Sequence, residues 1–171
     1  DGIKVLDVVN PQSFREFILD DFDDSRIPLW MINAEIALDD NASLQLLWIP
    51  DTTYHELAEV GSTYFLTSPK WIPQPTPGQG LEIESADKPN DMLEDSDAGI
   101  RYSTFRGGWD VTLNYLYHYQ DLPVLYQDQK PDDVLSIAPT YKRNNLFGST
   151  VSNAFDSFTL RGELAYSTDV Y

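Results

Sequence analysis

Residues 98–120 read AGIRYSTFRGGWDVTLNYLYHYQ, two alternating segments on either side of Gly107-Gly108. Adjacent glycines both tolerate positive φ, which the two-residue turn closing a β-hairpin requires. A turn at that point sets Thr104 opposite Val111, Tyr102 opposite Leu113 and Ile100 opposite Tyr115 on one face. The other face then pairs Phe105 with Asp110, Ser103 with Thr112 and Arg101 with Asn114. One face is apolar and aromatic, the other largely polar. Such alternation marks an antiparallel sheet whose greasy side meets either a protein core or lipid.

Two more hairpins are predicted from the same pattern. LWMINAEIAL (29–38) and LQLLWIP (44–50) flank a polar turn of five residues, 39–43, which sets Leu38 opposite Leu44, Ile36 opposite Leu46 and Ala34 opposite Trp48. A strand from about Tyr141 to Val151, a turn over 152–157 and the return FTLRGELAYS (158–167) make the third. In that return Phe158, Leu160, Gly162, Leu164 and Tyr166 share one face, and Arg161 and Glu163 lie on the other. Burying both ions in a dry core costs several kcal/mol each unless they are paired, whereas a water-filled lumen removes most of the cost. The connections alternate strictly in length: short at 39–43, long at 51–97, short at 107–108, long from 120 to about 134, short at 152–157. Outer-membrane barrels alternate tight turns with long loops in this manner. The long connection 51–97 carries the Pro/Gly-rich run WIPQPTPGQG and then the acidic EIESADKPNDMLEDSD, a composition expected to be loop, mobile and solvated.

Composition is compatible with this outline. The 171 residues include 4 Trp, 10 Tyr and 8 Phe, rings that suit sheets and membrane interfaces alike. The absence of Cys excludes a disulfide scaffold and thiolate metal sites. A formal net charge of −17 argues against a nucleic-acid partner, whose phosphates it would repel. No run approaches the roughly 18–20 apolar residues of a membrane-spanning helix, but β-barrels cross with alternating strands of about 9–11 residues. About six strands fall short of the roughly eight that close the smallest such barrel, so residues 1–171 are expected to be one segment of a larger one. The N-terminal region 1–28 differs from the rest: Ile3 to Val9 reads as a seventh strand. SFREFILDDF (13–22) reads as a short helix, Ser13 its N-cap, Glu16 in capping-box spacing, and Phe14, Phe17, Ile18 and Phe22 its apolar stripe. Packed on the barrel wall or rim it would be structural; inside the lumen it would be a plug.

Three groups of motifs resemble a known family. Asn10-Pro11 and an acidic stretch precede a hairpin containing Pro28-Leu29-Trp30. Gly99 to Arg101, the Gly107-Gly108 turn, Tyr115 to Tyr119 and Leu122-Pro123 follow, and Gly162-Glu163 with Tyr166 comes later. In this order they are similar to the domain-of-unknown-function 1302 family of Gram-negative outer-membrane proteins. Members run to several hundred residues and continue with many more strands, so the resemblance implies a porin-like protein. It supplies no catalytic residues.

The expected architecture is therefore all-β: an antiparallel up-and-down meander, part of an outer-membrane barrel, with one short N-terminal helix. Glu35, Arg101, Asp110, Asn114, His118, Arg161 and Glu163 are expected to line a lumen. Trp30, Trp48, Tyr102, Trp109, Tyr115, Tyr117, Tyr119 and Tyr166 are expected to face lipid or form an aromatic girdle, although core packing would give the same period. The expected function is a passive channel or uptake pore for small solutes, hydrophobic ones among them, with outer-membrane lipid and lipopolysaccharide as partners and no cofactor or metal. A soluble exported β-sandwich binding carbohydrate or protein is the rival. A barrel-embedded lipid hydrolase is a third reading, but His118 has no serine placed beside it and no Gly-x-Ser-x-Gly turn exists. His55, beside Glu56, is expected in solvent. The acidic stretches 20–26 and 82–97 lack EF-hand spacing and read as solvated loops.

Overall fold

The computed structural model describes residues 9–16, 19, 21, 24–59, 61–65 and 74–169. Eleven strands occur among them: β1 (Ser13–Phe14), β2 (Ile32–Asp39), β3 (Ala42–Ile49), β4 (Glu56–Leu57), β5 (Gly80–Ile83), β6 (Asp97–Arg106), β7 (Trp109–Tyr119), β8 (Val124–Lys130), β9 (Val134–Thr140), β10 (Arg143–Phe155) and β11 (Phe158–Ser167). Six of them form one sheet in the order β11-β10-β7-β6-β3-β2, every neighbouring pair antiparallel. Each long strand thus lies beside the next long strand along the chain, an up-and-down meander. The sheet is not a closed barrel; β2 and β11 are its outermost strands.

The β6–β7 hairpin has the expected register, with Arg101 opposite Asn114 and Ile100 opposite Tyr115. Gly107 and Gly108 turn it with φ of 60° and 83°. The β2–β3 hairpin departs from expectation. Its turn is Asp40-Asn41 rather than five residues, held by the Asp39 carboxylate accepting the Asn41 N–H at 2.7 Å, with a bulge between Ala37 and Asp39. Pairing shifts by two residues, so Ile36 faces Leu44 and Ile32 faces Trp48. A two-residue slip preserves which side chains share a face, because the side-chain period of a strand is also two. In the third hairpin β10 runs on to Phe155 and the turn shrinks to Asp156-Ser157, so Ser152 to Phe155 are strand where a turn was expected.

The expected helix over 13–22 is not formed: Ser13 and Phe14 are extended and pair in parallel with Glu56 and Leu57. Backbone partners outweigh the capping signal here. Ser13 N–H donates to the Ser25 carbonyl at 2.7 Å, and Ile27 N–H donates to the Pro11 carbonyl at 2.8 Å. No helix occurs among the described residues; Phe17, Ile18, Phe22 and residues 3–8 of the strand expected over Ile3 to Val9 lie outside them. The long connections are not wholly loop either. β8 and β9 form a hairpin, and β5, from inside the acidic connection, pairs in parallel with β9. Lys130 ties this small sheet together, reaching Glu82 at 3.1 Å and Glu84 at 2.9 Å. The acidic run beyond it is folded into local turns, where Asp91 accepts the N–H groups of Leu93 and Glu94 and Asp95 accepts those of Asn90 and Asp91.

Candidate functional site

Register assigns every long strand's side chains to one of two faces of the six-stranded sheet. The first carries Ile36, Leu44, Ile100, Leu113, Phe147 and Leu164 among others, and most of its large apolar side chains are exposed. Leu113 is 55% accessible, Leu164 69% and Phe158 60%. Monomeric soluble proteins rarely expose a contiguous apolar patch beyond a few hundred Å². This one crosses all six strands.

The aromatic side chains on that face are not spread evenly. At the end with the three tight turns, Trp109 meets Phe155 edge-on at 6.3 Å, and Phe155 stacks on Phe158 at 4.7 Å. Toward the opposite end lie Trp48, Tyr115, Tyr117, Tyr119, Phe147 and Tyr166, with Tyr115 and Phe147 in contact at 5.0 Å. The rows between are mainly aliphatic, with Val111 beside Val151 and Ile36 beside Leu44; Tyr102, in line with Leu44 and Leu113, is the aromatic exception. Trp30 precedes β2, is highly exposed, and donates its backbone N–H to Asp51 at 2.9 Å. Phe147, Phe155 and Phe158 also lie in these two groups, beyond the aromatic residues expected there from the sequence. The signal was present in the alternation of β10, but an early turn placed at Ser152 hid Phe155.

The second face holds Glu35, Arg101, Asp110, Asn114, His118, Arg161 and Glu163, all seven on one side. Its middle is a ladder of hydroxyls and amides. Thr112 and Thr150 share a hydrogen bond at 2.7 Å, Asn114 donates to Thr112 at 3.2 Å, and Gln45 donates to Asn33 at 3.1 Å. Toward the loop end this face is covered. Ile49, Leu116, His118 and Asn144 are buried there, and Val9 and Asp121 line the same small space as Ile49, Leu116 and His118. His118 is therefore enclosed, and among the described residues no serine hydroxyl is in hydrogen-bond contact with it.

The covering is built by the N-terminal segment and the connection after β3. His55, expected in solvent, is instead largely buried: its Nδ1 accepts the Gln12 N–H at 2.8 Å, and its ring meets Phe14 edge-on at 5.1 Å. Burial lowers its pKa from 6.5, favouring the neutral acceptor form that this bond needs. Asp121, 4.0 Å from His55 Nε2, is pushed up to about 7 by burial and then by the negative charge of Asp97. Arg143 packs over the rings of Tyr119 and Tyr117 at 4.1 and 4.5 Å, donates to the Glu94 and Ser96 carbonyls, and lies 3.6 Å from the Asp97 carboxylate. The Tyr54 and Tyr141 rings pack with their centroids 4.2 Å apart and their planes tilted by 31°. The cluster clamps loops onto the sheet, and among the described residues no set of three His, Asp or Glu is arranged to hold a metal ion.

Among the described residues no helix is long and apolar enough to cross a membrane. Neither a curated protein nor a solved structure matches the chain. Residues 1–170 match the family described as protein of unknown function (DUF1302), and the chain belongs to that family.

Proposed function

We propose that this chain is a segment of an outer-membrane β-barrel whose parent protein is a passive channel or uptake pore for small solutes, hydrophobic ones among them. One observation carries the proposal: an exposed apolar face crosses six antiparallel strands while most of their charged side chains gather on the other. Strands of 8–13 residues are of the right size. Ten residues at about 3.3 Å each, tilted near 40°, rise about 25 Å, the height of a barrel's apolar band. Aromatic belts toward both ends, with aliphatic rows between, agree with two membrane–water interfaces. Lipid would lie on the Leu113–Leu164 side and water on the Arg101–Asn114 side. The connections at 50–96 and 120–142 would form the long-loop end, facing lipopolysaccharide.

Among the described residues β2 and β11 have no outer neighbour in this sheet, and in a bilayer such edges would call for further strands, because backbone N–H and C=O groups facing hydrocarbon cost several kcal/mol each. The parent protein is tested by isolating the outer-membrane fraction and comparing gel mobility with and without boiling. A heat-dependent shift in that fraction supports the barrel. A soluble protein without a shift would return the apolar face to the core of an exported sandwich.

A further inference from the structure

We propose that the polar face contains a binding subsite, centred on Arg101, for a small organic anion with an apolar body. It deepens the channel proposal and rests on it, since the ligand would be a solute in transit. The subsite is a hollow of about 390 Å³, within the usual range of about 300–1,000 Å³ for small-molecule pockets.

Arg101 is the sole cation lining that hollow among the described residues. It is exposed and has neither an ion pair nor a hydrogen bond among them, although the chain carries 28 carboxylate residues against 11 Lys and Arg. Its cross-strand neighbours on the same face are Gln45 and Asn114, not acids. A guanidinium flanked by two amides offers several N–H donors to one carboxylate, with no competing acid pairing it in advance. One residue pair along the strands, a distance of about 7 Å, the wall turns apolar. There Leu47 and Leu116 close over Gly99, where an added Cβ would stand 3.2 Å from Leu116 Cδ1 and 3.5 Å from Leu47 Cβ. Leu146 and Val9 extend that apolar wall. A charged head at Arg101 and a hydrocarbon body over the leucines would satisfy both halves of the hollow together.

The probe pair is benzoate and its uncharged isostere benzamide, titrated by calorimetry into the full-length protein folded in non-ionic detergent. Benzoate is expected to bind about tenfold more tightly than benzamide, the scale of one charge-assisted hydrogen-bonded contact. Arg101→Gln should abolish the difference, Arg101→Lys should retain part of it, and Arg106→Gln, which removes a charge outside the hollow, should retain all of it. Should Arg101→Gln fail to fold, Arg101→Lys carries the test, because a lysine cannot reproduce the planar fork and weaker discrimination is expected. Equal binding of the two probes, or a preference for benzoate indifferent to Arg101, would overturn the subsite. Conductance in a planar bilayer reads the channel separately. A protein that passes current without preferring benzoate loses the subsite alone, and one that prefers benzoate without passing current loses the channel alone.

Discussion

Among single residues, Asp121 has the clearest pH consequence. Folding raises its pKa from 3.8 to about 7, through burial first and the Asp97 charge second, so between those values the folded chain holds a proton that the unfolded chain has released. Its contribution to stability is full below about pH 4 and is lost as the pH rises through 7. His55 acts in the opposite sense: its folded pKa is lowered from 6.5, so its contribution is full above that value and lost as the pH falls through the folded one. The two are separated by Asp121→Asn, which leaves the Asp121 carbonyl free to accept His55 N–H as before. The variant should gain roughly 2 kcal/mol over the parent at pH 8 and under half of that at pH 5, measured by urea unfolding in micelles. A difference independent of pH would mean that Asp121 ionises freely in the fold. None of this was visible in the sequence, where Asp121 follows the strand ending HYQ as an ordinary polar residue. Its burial is produced by segments far away in the chain.

Among elements, the β6–β7 hairpin was legible to the residue because its turn is specified by chemistry that few positions share. Gly107 and Gly108 both hold φ in the left-handed region, where a side chain is strained, and an added Cβ at Gly108 would also stand 3.4 Å from Asn153 Oδ1. Gly108→Val should therefore destabilise the folded protein by about 1–2 kcal/mol, whereas Ser157→Ala, in the turn after β10, should cost under about 0.5 kcal/mol. Unfolding midpoints of the two variants compare them directly, and equal midpoints would remove the glycine turn as the determinant of register. The other two hairpins were legible as hairpins but not in turn length. Asp39 to Ser43 and Ser152 to Ser157 are uniformly polar, so composition marks a turn without locating its centre. In both cases the strands continue until only two residues remain, since each further ladder pair satisfies backbone groups that a loop would leave to water. The N-terminal helix failed for a related reason: a capping box is a local preference worth about 1 kcal/mol, and strand pairing with residues 56–57 together with the Ser13–Ser25 hydrogen bond replaced it.

At the scale of the whole molecule, the decisive quantity is the difference between the two faces of the sheet. If lipid covers the apolar face, an arginine in its aliphatic middle should be costly and the same substitution on the polar face should not. Leu113→Arg is expected to destabilise the membrane-inserted protein by about 2–4 kcal/mol and reduce its yield in the outer-membrane fraction, while Ala37→Arg should insert normally. Comparable yields of the two would separate the apolar face from lipid.

The sequence by itself determined the β-class, the meander of three hairpins and the division of side chains between two faces, since all of these follow from period-two alternation and local turn chemistry. A register error of two residues left those faces intact. Tertiary structure alone decided the second, smaller sheet, the extended course of residues 12–14 and the covering of His55, His118 and Asp121. Those features depend on pairing between segments distant in the chain: residues 13–14 with 56–57, and 80–83 with 134–137. Such contacts are chosen by which backbone groups and side chains remain unsatisfied after the hairpins have formed, and no local pattern records that choice.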